Sequence, residues 1–232
     1  MTTQFNLFCL PHAGGNKYAY KPFVDAAPVF INVMPLDYPG RGERMLETPF
    51  TDIQALAKYM VSTIKDQLHV PYAIYGHSMG TLVAYLMTKE IMKTNYRQPK
   101  FLFLTGSEGP ATRSHEKQRH LLSREALIEE LKALGGISPE ILNEPDIIDF
   151  FLPIIRADFK ALETYVHDAT CDLDVPIIVA IGQQDKVSSE EARSWQQETK
   201  YPIELMQLQG NHFFIFDHTP RIMKLITEKV LE

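Results

Sequence analysis

What most constrains the fold is a rhythm. Apolar runs of six or seven residues alternate with segments whose apolar residues recur at helical spacing. The runs are "FNLFCL" (5–10), "FINVMPL" (30–36), "PYAIYG" (71–76), "KFLFLTG" (100–106), "PIIVAIG" (176–182) and "IELMQL" (203–208). Between the second and third, "DIQALAKYMVSTIKDQL" (52–68) puts Ile53, Leu56, Ala57, Met60 and Ile64 on one helical face. Helices are also expected at 81–93, about 188–199 and about 219–231. Short apolar strands alternating with helices call for a mostly parallel sheet covered on both faces. No internal repeat or low-complexity tract interrupts the pattern.

The rhythm changes between about 112 and 168, where helical patterns follow one another with no strand. Ser123 is placed to cap a helix carrying Leu127, Ile128, Leu131 and Leu134, with Gly135-Gly136 as its stop, and Pro139 is placed to start the next. In "DIIDFFLPIIRADFKALETYV" (146–166), the internal Pro153 predicts a kink or break. Ile147, Ile148, Phe151 and Ile155 read mostly as core. The stretch 112–168 is therefore expected to be a helical lid above the sheet's carboxyl edge, where ligands bind in such folds. At 232 residues and 45% hydrophobic content, one domain over 1–232 bearing this insertion is expected.

Composition narrows the function classes. A net charge of −6 argues against nucleic-acid binding, which relies on basic patches. The apolar runs are too short for membrane spans, and "MTTQFNLFCLPHAGG" lacks the layout of a signal peptide. Two cysteines, Cys9 and Cys171, without a C-x-x-C pair, suit a reducing cytosol and make no zinc motif. Cys9, inside a strand, reads as core.

One motif carries chemistry. "YGHSMG" (75–80) holds Gly-x-Ser-x-Gly between a strand-like and a helical segment. That is the setting of the α/β-hydrolase nucleophile elbow, which lifts a serine hydroxyl above the sheet. Ser78 is the candidate nucleophile, and a hydroxyl needs a base. In this fold the order is Ser, acid, His. Asp185 in "IGQQDKV" (181–187) and His212 in "LQGNHFFIF" (208–216) each lie just past a strand. His212 would accept the serine proton, and Asp185 would orient its ring. His12, His77 and Asp217 are rivals, although Asp217 follows His212 in the wrong order for the acid. Oxyanion donors are expected from the Met79 amide and, in "LPHAGG" (10–15), from the Ala13 amide. Each is worth roughly 3 kcal/mol in the transition state.

The pieces "LPHAGG", "YPGRGER" (38–44), "YGHSMG", "LPIIRADF" (152–159), "GQQD" (182–185) and "GNHFF" (210–214) span nearly the whole chain. Together they resemble the type II thioesterases, discrete editing enzymes of nonribosomal peptide and polyketide synthesis. Leu10 stands where that family more often has Phe. The resemblance implies Ser78, Asp185 and His212 as a triad, and Ala13 and Met79 as the oxyanion hole. It implies a substrate thioester on the phosphopantetheine arm of a carrier protein. No metal or redox cofactor is needed for such chemistry, and a monomer is expected.

Other readings stay open at this point. They are a medium-chain acyl-carrier-protein thioesterase, a general carboxylesterase, a dehydratase or cyclase using the same triad, and a non-catalytic binding scaffold. Residues 112–124 carry a formal +3 and residues 125–150 a formal −6. Arg113, Lys117 and Arg119 are therefore candidates to steer an acidic carrier, against the alternative of a merely solvated loop. Arg41 and Arg44 either hold their own loop, the favoured reading, or face the pantetheine. Arg156 and Asp158 are candidates to tie the lid to the body.

Overall fold

In a computed structural model, which describes residues 4–112, 118–135, 144–168 and 173–232, the apolar runs become strands. These are β1 (Phe5–Leu10), β2 (Ile31–Pro35), β3 (Tyr72–His77), β4 (Leu102–Thr105), β5 (Ile177–Gly182) and β6 (Glu204–Leu208). They form one sheet in the order β2-β1-β3-β4-β5-β6. Every neighbouring pair is parallel, with Phe8 opposite Ile74 and Leu104 opposite Val179.

Side chains alternate across a strand, and here both sides are buried. Leu7, Cys9, Tyr75, Phe103 and Ala180 share one apolar cluster. Phe8, Leu10, Ile74, Leu104 and Val179 share the other. That is why the central strands read as unbroken apolar runs. The first side is covered by α1 (Lys21–Ala26), and by α7 (Phe214–Asp217) and α8 (Thr219–Leu231), whose helical patterns bring Phe214, Ile222, Met223 and Ile226 inward. The second is covered by α2 (Ile53–Ile64) and α3 (Met79–Met92). All five residues expected on the inner face of α2 are buried, and Asp52 caps it by accepting from the Gln54 and Ala55 amides.

Between β4 and β5 lie α4 (Arg124–Leu134) and α5 (Pro145–Glu163). Ser123 caps α4, and Gly135, at φ +73°, ends it. Leu127 and Leu131 of α4 pack against Ile148, Leu152, Ile155 and Phe159 of α5 as a third cluster. Of the residues expected in that core, Ile148 and Ile155 are buried, Phe151 is half-buried and Ile147 faces outward. Gly136 and the helix start at Pro139 lie outside the described residues.

Pro153 does not break its helix. α5 runs continuously through it for 19 residues. The ring is on the exposed side, while Leu152, Ile154 and Ile155 beside it are buried. One missing backbone hydrogen bond is outweighed by apolar packing on both halves. The helix expected at 188–199 divides into α6 (Ser189–Arg193), which opens with a capping box, and a 3₁₀ turn (Ser194–Glu198). Among the described residues no helix is long and apolar enough to cross a membrane.

Candidate active site

Ser78 occupies the single residue between β3 and α3. Its backbone sits at φ 54°, ψ −114°, and among the described residues it is the only non-glycine with positive φ. Its amide donates to the Thr105 carbonyl of β4 at 2.8 Å, which ties the strained corner to the sheet. The flanking glycines are required by close approach. A Cβ on Gly76 would lie 2.3 Å from the Gly80 carbonyl oxygen, and one on Gly80 would lie 2.2 Å from that of Leu10. The helix that begins directly after Ser78 turns its free amides to this corner, a setting that favours negative charge.

Asp185 and His212 come from the loops after β5 and β6. Those loops are laced together: the Gln183 amide donates to the Leu208 carbonyl at 2.7 Å, and the Gln184 side chain accepts from the Gly210 amide at 2.7 Å. His212 Nδ1 lies 2.9 Å and 3.1 Å from the two Asp185 carboxylate oxygens. The Asp185 side chain is 2% exposed and that of His212 19%. The Lys186 amide also donates to Asp185 at 2.6 Å, fixing the carboxylate. An ionised carboxylate only accepts, so Nδ1 carries the ring proton and Nε2 is left as an acceptor.

Ser78, Asp185, His212 and Ala13 line one cavity of about 910 Å³, to which α5 contributes Phe151 and Ile155. Met79 is fully buried, with its amide at the first position of α3.

Of the rival histidines, His12 lines the cavity and His77 is buried beneath it. The His77 ring lies 5.1 Å from that of His212 and 5.9 Å from that of His12, and Phe213 packs edge-on to all three. His77 Nδ1 pairs with the Thr105 hydroxyl at 3.0 Å. Burial, with smaller contributions from His212 and Arg41, lowers the His12 pKa to about 3. Burial lowers that of His77 well below the usual range. Both rings stay neutral at physiological pH. Of the three histidines, His212 is the one with a carboxylate partner. Asp217 is exposed. Cys9 is wholly buried, and burial raises its thiol pKa far above the usual range.

The least expected feature joins two motifs far apart in sequence. Arg41 Nη1 and Nη2 reach the two carboxylate oxygens of Asp158 at 2.6 and 2.7 Å, with both side chains 2% exposed. Burial works against the Arg41 charge, but the Asp158 carboxylate outweighs it, and the guanidinium pKa is raised. Asp158 Oδ2 also accepts from the Gly14 amide at 2.7 Å. Asp158 thus ties α5 to the loops after β1 and β2, and Arg41 grips α5 rather than its own loop. Arg44 does hold its own loop, pairing with Glu47 at 2.8 Å beneath Tyr59. Arg156 donates to the His120 carbonyl at 2.9 Å, a contact within the stretch between β4 and β5 that does not reach the body.

Of the residues considered for carrier steering, Arg113 and Lys117 lie outside the described residues. Arg119 lines the cavity with its side chain 20% exposed. Its Nε donates to Glu130 at 2.8 Å, Glu163 lies 3.7 Å away, and the guanidinium covers the Phe159 ring.

The chain matches the family model described as "Thioesterase domain" over residues 5–230. It is 28% identical to the gramicidin S biosynthesis protein GrsT of Aneurinibacillus migulanus, over 98% of this chain and 89% of that protein. It is 28% identical to thioesterase PikA5 of Streptomyces venezuelae, over 97% of this chain and 80% of that one. Among solved structures, the type II thioesterase BorB from the borrelidin biosynthetic cluster superposes with a TM-score of 0.90 at 32% identity, covering 99% of this chain and 94% of that one. ClbQ, from the colibactin NRPS/PKS pathway, gives 0.92 at 27% identity, covering 98% and 97%.

Proposed function

The chain belongs to the thioesterase family, in its type II branch and with its α/β-hydrolase fold, and on that premise we propose that it clears stalled acyl or aminoacyl groups from carrier proteins of nonribosomal peptide or polyketide synthases. The substrate is the thioester on the carrier's phosphopantetheine arm. The observation that carries the reading is the His212–Asp185 contact in the same cavity as a strained Ser78.

The Ser78 hydroxyl attacks the thioester carbonyl while His212 Nε2 takes its proton. Asp185 holds the imidazole in the tautomer that can accept and stabilises the imidazolium that results. The amides of Ala13 and Met79 stabilise the oxyanion. Collapse breaks the C–S bond, and His212 returns the proton to the departing sulfur, freeing the arm. Water then attacks the acyl-serine, with His212 as base. Its proton passes to the Ser78 oxygen, and a carboxylic acid leaves. A thiol is a good leaving group, so a triad of ordinary strength suffices.

The test loads a phosphopantetheinyl carrier protein with acetyl or aminoacyl groups and follows release by intact-protein mass. The Ser78→Ala variant and the same acyl group on a small thiol serve as comparisons. Faster release from the carrier, lost in the variant, is the expected result. Equal rates on both substrates would reduce the reading to a general thioesterase. No release from either would reject it.

A further inference from the structure

We propose that Asp158 and Arg41 are positioning residues for hydrolysis: the lid helix α5 holds the Gly14 amide and so sets the neighbouring Ala13 amide as an oxyanion donor. This rests on the reading above that Ala13 serves the oxyanion hole.

The loop 10–15 is pinned from several sides. The body holds most of it: Tyr20 donates to the Leu10 carbonyl at 2.7 Å, Tyr38 donates to the Pro11 carbonyl at 3.1 Å, and the Gly15 amide turns back to the His12 carbonyl at 2.9 Å. The Gly14 amide differs, because its acceptor, Asp158, sits on the lid helix 144 residues away. Ile155, one helical turn before Asp158, packs so closely that a Cβ on Gly14 would lie 2.8 Å from it. The peptide joining Ala13 to Gly14 is therefore clamped on its far side by α5. The Ala13 N–H lies in the preceding peptide, whose His12 carbonyl accepts from the Gly15 amide just beyond the clamp. Losing the charge-assisted hydrogen bond at Gly14 frees that turn, and a misaimed oxyanion donor loses most of its value.

Arg41 has a separate part. A bare carboxylate beside the loop would repel the charge that develops on the substrate oxygen. The bidentate guanidinium cancels that charge and leaves the hydrogen bond to Gly14 intact. Arg41 also anchors Asp158 to the body, because its own loop follows β2 and its Tyr38 neighbour lies under the guanidinium. The oxyanion loop is then complete only when α5 is seated, so seating the lid arms the site as well as enclosing it.

The test uses the intact chain, an acyl thioester on a small thiol, and an alkyl boronic acid as a mimic of the tetrahedral state. Rates are expressed per active site titrated with a serine-directed phosphonate, which removes any effect of misfolded protein. Asp158→Ala should lower kcat about a hundredfold with KM changed less than about threefold, within the range for loss of one oxyanion donor. Boronate affinity should fall in step with kcat/KM. Asp158→Asn, whose amide oxygen can still accept from Gly14, should recover roughly tenfold of that loss. Arg41→Gln should be worse than Asp158→Asn, because it leaves the carboxylate uncompensated. If Asp158→Ala fails to fold, the Asn and Gln variants carry the comparison. Wild-type turnover per titrated site in either of these, or boronate affinity independent of kcat/KM, would overturn the proposal. Turnover surviving in Ser78→Ala would instead reject the reading of the site itself.

Discussion

His212 turns its Nδ1 to the Asp185 carboxylate at 2.9 Å, and that one contact decides which ring nitrogen is left to accept a proton. Asp185→Asn keeps the size of the side chain but offers an NH₂ donor. The ring then flips to the tautomer that places a proton on Nε2. We expect kcat to fall by roughly three to four orders of magnitude at near-constant KM, read from steady-state hydrolysis of an acyl thioester. A loss below tenfold would mean that Asp185 is not the residue orienting the histidine.

Ser78 is held in a backbone conformation that only glycine adopts freely. Such a residue stores on the order of 1–3 kcal/mol. Glycine relieves that, less its own entropic cost of roughly 0.5–1 kcal/mol. Ser78→Gly is expected to be inactive and yet more stable than the parent by about 1 kcal/mol. Urea unfolding checks this. A lower midpoint in the glycine variant would show that the elbow is not strained.

Gly80 gives the opposite sign. Its would-be Cβ meets the Leu10 carbonyl oxygen at 2.2 Å, and backbone of β1 cannot yield as a flexible side chain would. Gly80→Ala should cost about 3 kcal/mol, lowering Tm by ~6–12 °C. A thermal melt within ~2 °C of the parent would contradict the packing described between α3 and β1.

Two neutral histidines make the fold acid-sensitive. His12 and His77 have folded pKa values below the unfolded value near 6.5, His12 at about 3, with burial the main cause. Above pH 6.5 neither state binds the proton, so neither ring contributes. Below it the unfolded chain takes up protons that the fold refuses, and stability is lost as pH falls. Each ring contributes up to about 1.4 kcal/mol per pH unit. His77→Gln should flatten the slope of unfolding free energy between pH 6.5 and 5 by about one proton. An unchanged slope would mean that His77 is protonated in the folded state.

The parts of the molecule that sequence made legible are those whose signal is local. β1, β3, β4 and β5 are buried on both faces, so their residues are mostly apolar, with Asn6, His77 and Thr105 the buried polar exceptions. The elbow is local too, because the corner at Ser78 needs glycine two residues to either side. The Arg41–Asp158 pair is the reverse case. Its partners are 117 residues apart, and sequence favours Arg41 as an anchor of its own loop and offers Asp158 as a tie to the body without a named partner. Nothing in either neighbourhood says that they meet, or that the Gly14 amide is the third party. Pro153 misleads for a related reason. A proline is read as a breaker from its own geometry, whereas the burial of Leu152, Ile155 and Phe159 that holds α5 together comes from α4 and the loop 10–15. Arg119 looked like a free cation in sequence, but the carboxylates of Glu130 and Glu163 engage it from other parts of the lid.

Parallel pairing of β4 with β5 has a consequence for anyone wishing to exchange the lid. The chain leaves at the carboxyl end of β4 and must return to the opposite end of β5. In crossing, α5 is shared: Ile148 and Leu152 pack with α4, while Ala161 belongs to the cluster against the sheet. A chimera that replaces the whole stretch would remove the bridge between two neighbouring strands along with the cover. The transplantable cassette is shorter, ending before Pro145, and any donor sequence must dock on a resident helix that keeps Ile155 and Asp158.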